Sequence, residues 1–204
     1  MREVPLAASG HPDRIRWNAR YGDDSAVSFH AHPLAAQALS SALPDGPVLD
    51  LACGPSGAVL AAAAAGRQVT AVDISDVALG LLDREARRRR LRDLIALVHA
   101  DLGEWRPEPE RYALVLCTGY WDRAIFGPAA AAVAPGGLLG WEAFTAEARR
   151  VRPTLPAAWC LGPGEPAALL PPDFTVLDQH QQADSGRGAK RRLLARREDR
   201  RRAE

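Results

Sequence analysis

Five short apolar runs, spaced so that a helix fits between most of them, constrain the fold of this chain more than any other feature. The runs are rich in Val, Leu and Ile, which is typical of strands buried on both faces of a sheet. Helix candidates lie between them at residues 56–65, 75–91 and 122–133, and alternating strands and helices predict a parallel α/β sheet. The runs themselves are PVLDLAC, RQVTAVD, LIALVHAD, RYALVLCT and GGLLGWEAF.

The two ends of the chain add further elements. DRIRWNARYG and HPLAAQALSSAL predict two helices before the first strand, and FTVLDQHQQ and GAKRRLLARRE predict a hairpin after the last parallel one. We therefore expect an α/β, Rossmann-like three-layer sandwich with a seven-stranded, mostly parallel sheet and a C-terminal antiparallel hairpin. Residues 1–204 are expected to form one domain, with an N-terminal helical segment at 1–44 and the core at 45–204.

Composition and charge exclude several classes of protein. Hydrophobic residues make up 47% of the chain and charged residues 25%, as in an ordinary globular protein. The formal net charge of +1 provides no overall field that attracts nucleic acid or a membrane. Three cysteines without a CxxC pair, and an N-terminus without an apolar segment, favour a reducing compartment. We expect a cytoplasmic monomer or homodimer with no nucleic-acid or membrane partner.

A glycine turn joins the first strand to an alanine-rich helix in VLDLACGPSGAVL. In a sheet of this kind, ligands bind at the carboxyl ends of the strands, and Gly54 and Gly57 let the backbone approach them. Asp73 ends the second strand and follows Gly54 at about the 20-residue spacing of a ribose-binding acid. Asp101 ends the third strand, where it can accept a hydrogen bond from an adenine amine. Any one of these features is equally well a plain turn or cap, but the ordered set favours an adenosine site.

The same stretches resemble one family of adenosine-binding enzymes. The loop ACGPSG lacks the G-x-G-x-x-G of dinucleotide folds, whereas Asp50, Ala52 and Gly54 resemble the first motif of class I S-adenosylmethionine (SAM) methyltransferases. VTAVDIS, HADLGEW, YALVLCTGYWDR and AAVAPGGLLGWEAF resemble the later motifs, so the likeness covers nearly the whole chain. The helix WNARY and the tetrad YWDR are most similar to the small bacterial tellurite-resistance and thiopurine methyltransferases.

The resemblance implies SAM as the cofactor, a small-molecule acceptor and a set of binding residues. Ser56 stands where the family usually has a third glycine, and its hydroxyl is expected either to cap the next helix or to contact the carboxylate of SAM. The cofactor-binding residues that the resemblance implies are Trp17, Arg20, Tyr21, Asp50, Ala52, Cys53, Gly54, Asp73, Ile74, Asp101, Leu102, Cys117, Thr118 and Tyr120.

The catalytic residues stay unassigned at this point. A thiolate acceptor needs no general base, whereas an amine or hydroxyl does, and the candidates are Tyr120, Asp122 and Glu142. Asp122 is more simply interpreted as a helix cap. The residues Trp17, Tyr21, Phe29, Trp121, Trp141 and Trp159 are candidates for an acceptor pocket and lid, with about half of them expected in the core instead.

Three other features have plainer interpretations. His30 and His32 have no third ligand nearby, so no metal site is predicted. The run Arg87 to Arg90 ends a helix that also carries acids, which indicates a solvated face and not an RNA site. The proline-rich loop 149–165 is either a lid or a rigid connector, and we favour the connector slightly.

Two other functions remain open from the sequence. One is a nicotinamide-dependent oxidoreductase, against which the missing glycine fingerprint counts. The other is a non-catalytic domain that keeps SAM as a sensor or structural ligand, or that serves as a partner module. It would bind SAM without transferring the methyl group.

Overall fold

The computed structural model describes residues 10–22, 27–182, 186 and 188–199. The helices are α1 (Pro12–Tyr21), α2 (Pro33–Ser40), α3 (Gly57–Ala64), α4 (Asp76–Arg88) and α5 (Arg123–Ala131). The strands are β1 (Val48–Leu51), β2 (Val69–Asp73), β3 (Ile95–His99), β4 (Tyr112–Thr118), β5 (Val133–Phe144), β6 (Phe174–Gln182) and β7 (Lys190–Arg197). Among the helices of the described part, none is long and apolar enough to cross a membrane.

The seven strands form one sheet in the order β3-β2-β1-β4-β5-β7-β6. Strands β1 to β5 pair in parallel, whereas β7 pairs antiparallel with both β5 and β6. The predicted Rossmann-like sheet with its antiparallel hairpin is therefore confirmed. The strand order reverses between β1 and β4, and in such sheets this switch point opens a crevice at the carboxyl ends of the strands.

Strand β4 shows how the sheet divides the core into two layers. Leu114 and Leu116 pack with residues of α2 and α3 on one face, and Val115 and Cys117 pack with residues of α5 on the other. Burial of both faces explains why this strand is a continuous apolar run in the sequence. Each fully buried leucine contributes about 1.5–3 kcal/mol of transfer free energy, so the strand ends project from a rigid base.

Serine side chains fix where α3 and α4 begin. Ser56 Oγ accepts hydrogen bonds from the amides of Ala58 and Val59, and Ser75 Oγ accepts one from the amide of Ala78. From the sequence, Ser56 was expected either to cap α3 or to contact SAM, and the structure shows that it caps the helix. The start of each helix is thereby held at the carboxyl edge of the sheet, next to the crevice.

The arginines at the end of α4 form ion pairs on its exposed side. Arg87 pairs with Asp83, and Arg88 and Arg89 both pair with Glu85, at 2.7–2.8 Å. Two of these pairs have the i,i+4 spacing expected from the sequence. The prediction of a solvated charged face is confirmed.

Candidate functional site

The loop from β1 to α3 brings the backbone to the edge of the crevice. Ala52 and Gly54 have left-handed backbones, with φ of 49° and 57°. A Cβ added to Gly54 would lie 2.9 Å from Tyr21 Oη, and one added to Gly57 would lie 2.3 Å from the carbonyl carbon of His30. The loop therefore requires both glycines, because a side chain at either position would meet an atom already there.

Asp73, at the end of β2, holds two loops together. Its Oδ2 accepts a hydrogen bond from the Gly54 amide and its Oδ1 accepts one from the Ser75 amide, both at 2.7 Å. The side chain is buried, and this burial raises the pKa of Asp73, while the two amides oppose the rise. Each carboxylate oxygen has more than one lone pair, so both can still accept a hydrogen bond from a ligand.

Asp50 lies beneath the glycine loop, buried on β1. Its Oδ2 accepts a hydrogen bond of 2.6 Å from Ser56 Oγ, the same oxygen that caps α3. Burial raises the pKa of Asp50 to about 7, although the hydrogen bond from Ser56 acts in the opposite direction. The serine that replaces the family's glycine thus joins Asp50 to the start of α3.

The ends of β2 and β3 place two acids at one edge of the sheet. Asp73 pairs in register with His99, so Asp101 follows β3 immediately beside it. His99 Nε2 lies 2.8 Å from the carbonyl oxygen of Ile74 and fixes that residue between the two strand ends. Ile74, Leu102 and both acids line the same cavity.

Helix α1 covers this edge and is attached to the start of α4. Asn18 accepts a hydrogen bond from the Ser75 hydroxyl at 2.7 Å. Asn18 and Arg14 each donate one to Asp76 Oδ1 at 2.8 Å. The helix therefore rests on the turn that directly follows Asp73.

The inner side of α1 is aromatic and also contacts the loop 149–165. Trp17 and Tyr21 stack with ring centroids 5.7 Å apart, and both line the cavity. The Arg16 guanidinium lies 5.1 Å from the ring centroid of Trp17 and 4.3 Å from that of Trp159. The loop 149–165 thus borders the cover of the cavity through Trp159.

The end of β4 forms the opposite wall. Thr118, Gly119 and Tyr120 line the cavity. The carbonyl oxygen of Tyr120 accepts a hydrogen bond from Trp141 Nε1 at 3.0 Å and a weaker one from Cys117 Sγ at 3.6 Å. The Cys117 thiol therefore belongs to the core, where burial raises its pKa.

The cavity between these walls has a volume of about 160 Å³. Of the residues predicted to bind the cofactor, those that line it are Trp17, Tyr21, Ala52, Asp73, Ile74, Asp101, Leu102, Thr118 and Tyr120. Arg20, Asp50, Cys53, Gly54 and Cys117 do not line it. Arg20 is exposed on α1, Cys117 faces the core, and the other three belong to the glycine loop and the strand before it.

Three lining residues were not predicted from the sequence: Asp13, Ala100 and Gly119. Ala100 and Gly119 are neighbours of predicted residues along the chain. Asp13 is different, because it belongs to a helical stripe at every fourth position that continues through Trp17 and Tyr21. The i,i+4 spacing of these three residues is the signal that identifies the face of α1 that lies over the cavity.

The three candidate bases have different environments. Asp122 Oδ1 accepts a hydrogen bond from the Ala124 amide, so Asp122 caps α5. This was the simpler of the two interpretations of Asp122 from the sequence. Burial opposes ionisation of Glu142, but a hydrogen bond from His32 and the charge of Lys190 hold the pKa of Glu142 down at about 2, so it is a poor proton acceptor. Tyr120 is the candidate that lines the cavity, and burial raises its pKa.

The candidate aromatic residues divide between the cavity and the core. Trp121 and Trp141 are 3% and 0% exposed, and they pack against each other and Phe126. These two tryptophans are core residues, whereas Trp17 and Tyr21 line the cavity.

The two histidines before α2 have no metal-binding arrangement. His32 caps α2 by accepting a hydrogen bond from the Leu34 amide through Nδ1, and its Nε2 lies 3.2 Å from Glu142. Within the described ranges of the chain, no group of three or more His, Cys, Asp or Glu side chains is placed to hold a metal ion.

Comparison with known proteins finds a family match over part of the chain. Residues 48–137, from β1 to the first residues of β5, match the family model of a methyltransferase domain. The match covers less than half of the 204 residues. This segment contains Asp50, Asp73, Asp101 and the end of β4. No curated protein matches the sequence as a relative.

Solved structures share the fold of the methyltransferase at low sequence identity. A geranyl diphosphate C-methyltransferase from Streptomyces coelicolor A3(2), in complex with S-adenosylhomocysteine (SAH), is 14% identical, with a TM-score of 0.66, over 95% of this chain and 85% of that one. A phosphoethanolamine N-methyltransferase 2 from Haemonchus contortus, in complex with SAM, is 13% identical, with a TM-score of 0.63, over 81% of this chain and 52% of that one.

The cavity of the methyltransferase domain fits an adenosine group by its chemistry. Asp73 and Asp101 are acceptors for hydroxyl and amine donors, and both line a cavity that also has apolar lining residues. Ile74 and Leu102 provide that apolar surface, which suits a flat base.

Proposed function

We propose that this methyltransferase acts in the cytoplasm on a small-molecule acceptor, and that the cavity beneath α1 holds the adenosine part of SAM. The observation that carries the proposal is the position of Asp73 and Asp101 at the ends of neighbouring strands, in one cavity with Ile74 and Leu102 between them. Three separate strand ends thereby meet at one cavity, since Thr118 also lines it.

Each cavity residue then has a defined role in binding. Asp73 accepts hydrogen bonds from the ribose hydroxyls through the lone pairs that the Gly54 and Ser75 amides leave available. Asp101 accepts from the exocyclic amine of adenine, and Ile74 packs against the base. Because the two amides already hold the Asp73 carboxylate in place, little reorganisation is needed when the ligand binds.

The wall formed by β4 faces the reacting atoms. SAM would supply a methyl group bound to its sulfonium sulfur. An acceptor would attack the methyl carbon in line with the carbon–sulfur bond, which would break as SAH leaves. Thr118 and Tyr120 position the acceptor and exclude water from this space, and such positioning accounts for much of the catalysis of methyl transfer. The raised pKa of Tyr120 keeps its hydroxyl protonated near neutral pH, so it acts as a hydrogen-bond donor. This arrangement supports a nucleophile that needs no general base, such as a thiolate.

We further propose that the chain belongs with the tellurite-resistance and thiopurine methyltransferases that its sequence resembles. The two stretches that carry this likeness both border the cavity: WNARY supplies Trp17 and Tyr21, and YWDR supplies Tyr120. The small molecules in the names of the Streptomyces and Haemonchus enzymes are consistent with a small acceptor here.

Isothermal titration calorimetry with SAM and SAH tests the cofactor role. Asp73→Asn removes the charge of the acceptor at the ribose position, and Asp45→Asn, in the exposed turn before β1, is the matched control. We expect Asp73→Asn to weaken SAH binding by about 10- to 100-fold, since a hydrogen bond to a charged group contributes about 1.5–3 kcal/mol. The proposal is wrong if the folded wild-type chain binds neither ligand, or if both variants bind SAH equally well.

Transfer of a labelled methyl group to a panel of thiols, amines and hydroxyl compounds tests catalysis separately. Turnover with any member supports an enzyme with a small acceptor. Tight SAH binding without turnover across the panel would favour the non-catalytic SAM-binding domain left open by the sequence.

A further inference from the structure

Glu142 contacts more positive charge than its single carboxylate can neutralise. Its Oε1 accepts a hydrogen bond from Lys190 Nζ at 3.0 Å, and its Oε2 accepts one from Arg192 Nη2 at 3.1 Å. His32 Nε2 lies 3.2 Å from Oε1 of the same carboxylate. Two cations therefore share one anion.

These cations are largely withdrawn from water, and a third one lies close by. The side chain of Lys190 is 30% exposed and that of Arg192 is 11% exposed. The ring of Phe144 has Lys190 Nζ at 5.3 Å from its centroid and Arg152 Cζ at 4.9 Å. Arg152 makes no ion pair with any carboxylate in the described part of the chain. Partly desolvated cations without enough anions are costly, and a bound anion would remove that cost.

We call Arg152, Lys190 and Arg192 the cationic corner, and it adjoins the β4 wall of the cavity. Glu142, at its centre, pairs in register with Thr118, and its carbonyl accepts a hydrogen bond of 2.7 Å from the Gly119 amide. Its β7 members, Lys190 and Arg192, are one strand beyond β5. Since neighbouring strands lie about 4.8 Å apart, about 10 Å separates these cations from the cavity wall.

We propose that the methyl acceptor carries a carboxylate or phosphate group, and that the cationic corner binds this group. The inference rests on the proposed methyltransferase function and names its substrate class. Lys190 and Arg152 donate hydrogen bonds to the anion, and Phe144 packs against the body of the acceptor. The accepting atom lies beside Thr118, roughly two strand spacings from the anionic group.

A nucleic acid is the other polyanion that such a corner suggests, but the geometry favours a small molecule. A nucleic-acid backbone is bound by many exposed cations spread along its phosphates. Here Lys190 and Arg192 are recessed, and the whole chain has a formal net charge of only +1. A single anionic group reaches recessed side chains more easily than a continuous backbone does.

Calorimetry on the full chain saturated with SAH tests the inference, with phenyl phosphate and benzoate as anionic probes and benzyl alcohol as the neutral one. Arg152→Gln removes an exposed corner charge, and Lys190→Met removes a half-buried one. Arg88→Gln, 69% exposed on α4, removes the same charge elsewhere and is the control. We expect an anion to bind with a Kd below about 10 mM, and each corner variant to weaken it about tenfold, while Arg88→Gln changes it by less than about twofold.

SAH binding separates the failure of this inference from the failure of the proposed function. If the wild-type chain does not bind SAH, both are wrong. If it binds SAH but the anions bind no better than benzyl alcohol, or if Arg152→Gln binds them like wild type, only the inference is wrong. Preferential binding of a short single-stranded RNA over phenyl phosphate would overturn it in favour of a nucleic-acid substrate.

Discussion

Replacement of Asp50 by Asn should make the stability of the protein less sensitive to pH. Burial raises the pKa of Asp50 from 3.8 to about 7 in the folded chain. Between these two values the folded state binds more protons than the unfolded state, so the free energy of unfolding falls as pH rises and levels off above about 7. Asn is neutral like the protonated acid, and its Oδ1 can still accept the hydrogen bond from Ser56.

The size of the effect follows from the interval that an experiment can cover. In an experiment from about pH 5.5 to 8.5, the lower limit lies roughly 1.5 pH units below the folded-state pKa of about 7. At 1.36 kcal/mol per pH unit, the free energy of unfolding falls by about 2 kcal/mol over this interval. We expect the wild-type free energy of unfolding to fall by about this much more than that of Asp50→Asn over the interval. Urea-induced unfolding followed by tryptophan fluorescence measures both.

The control is Asp45→Asn, because Asp45 is exposed in the turn before β1. Its pH profile should parallel that of wild type, since the surroundings of an exposed side chain change little when the chain unfolds. Parallel profiles for wild type and Asp50→Asn would refute the reasoning, because they would mean that Asp50 ionises at the same pH in the folded and unfolded chains.

Three further changes have expected effects on the free energy of unfolding in urea. Ser56→Ala removes the cap of α3 and should cost about 1–2 kcal/mol, whereas Ser56→Gly should cost less; equal costs would contradict the capping role. Gly57→Ala forces a Cβ against the backbone of His30 and should cost about 1–3 kcal/mol, while Gly127→Ala, with open space around it, should gain about 0.5–1 kcal/mol. Glu142→Gln leaves the partly buried Lys190 and Arg192 without their carboxylate partner and should cost about 3–5 kcal/mol at pH 7. That cost should shrink as pH falls from 4.5 to about 2, because the unfolded chain then binds a proton at Glu142 that the folded chain, with its lowered pKa, does not, and an unchanged difference would refute it.

The sequence was sufficient to predict the sheet and the acids at its edge. Asp73 and Asp101 each follow an apolar run, and a parallel arrangement alone places the ends of such runs at one edge. The contribution of α1 was harder to predict, because the pattern of Asp13, Trp17 and Tyr21 shows one face of the helix without showing which surface it covers.

Glu142 shows why side-chain roles at long range were not predictable. From its position after β4 it was a candidate base, yet its partners are His32, 110 residues earlier, and Lys190, 48 residues later. Only the folding of α2 and β7 against β5 brings these groups together and lowers the pKa of the carboxylate. No local pattern around Glu142 contains that information.

The position of β7 has a consequence for synthesis of the chain on the ribosome. β7 follows every other described strand along the chain, yet it lies between β5 and β6 in the sheet. Domains fold progressively as the nascent chain emerges, so the β5 edge stays unpaired until residues 190–197 leave the exit tunnel. A stalled or truncated product would therefore expose a bare strand edge open to aggregation and would lack Lys190 and Arg192, even with its glycine loop intact.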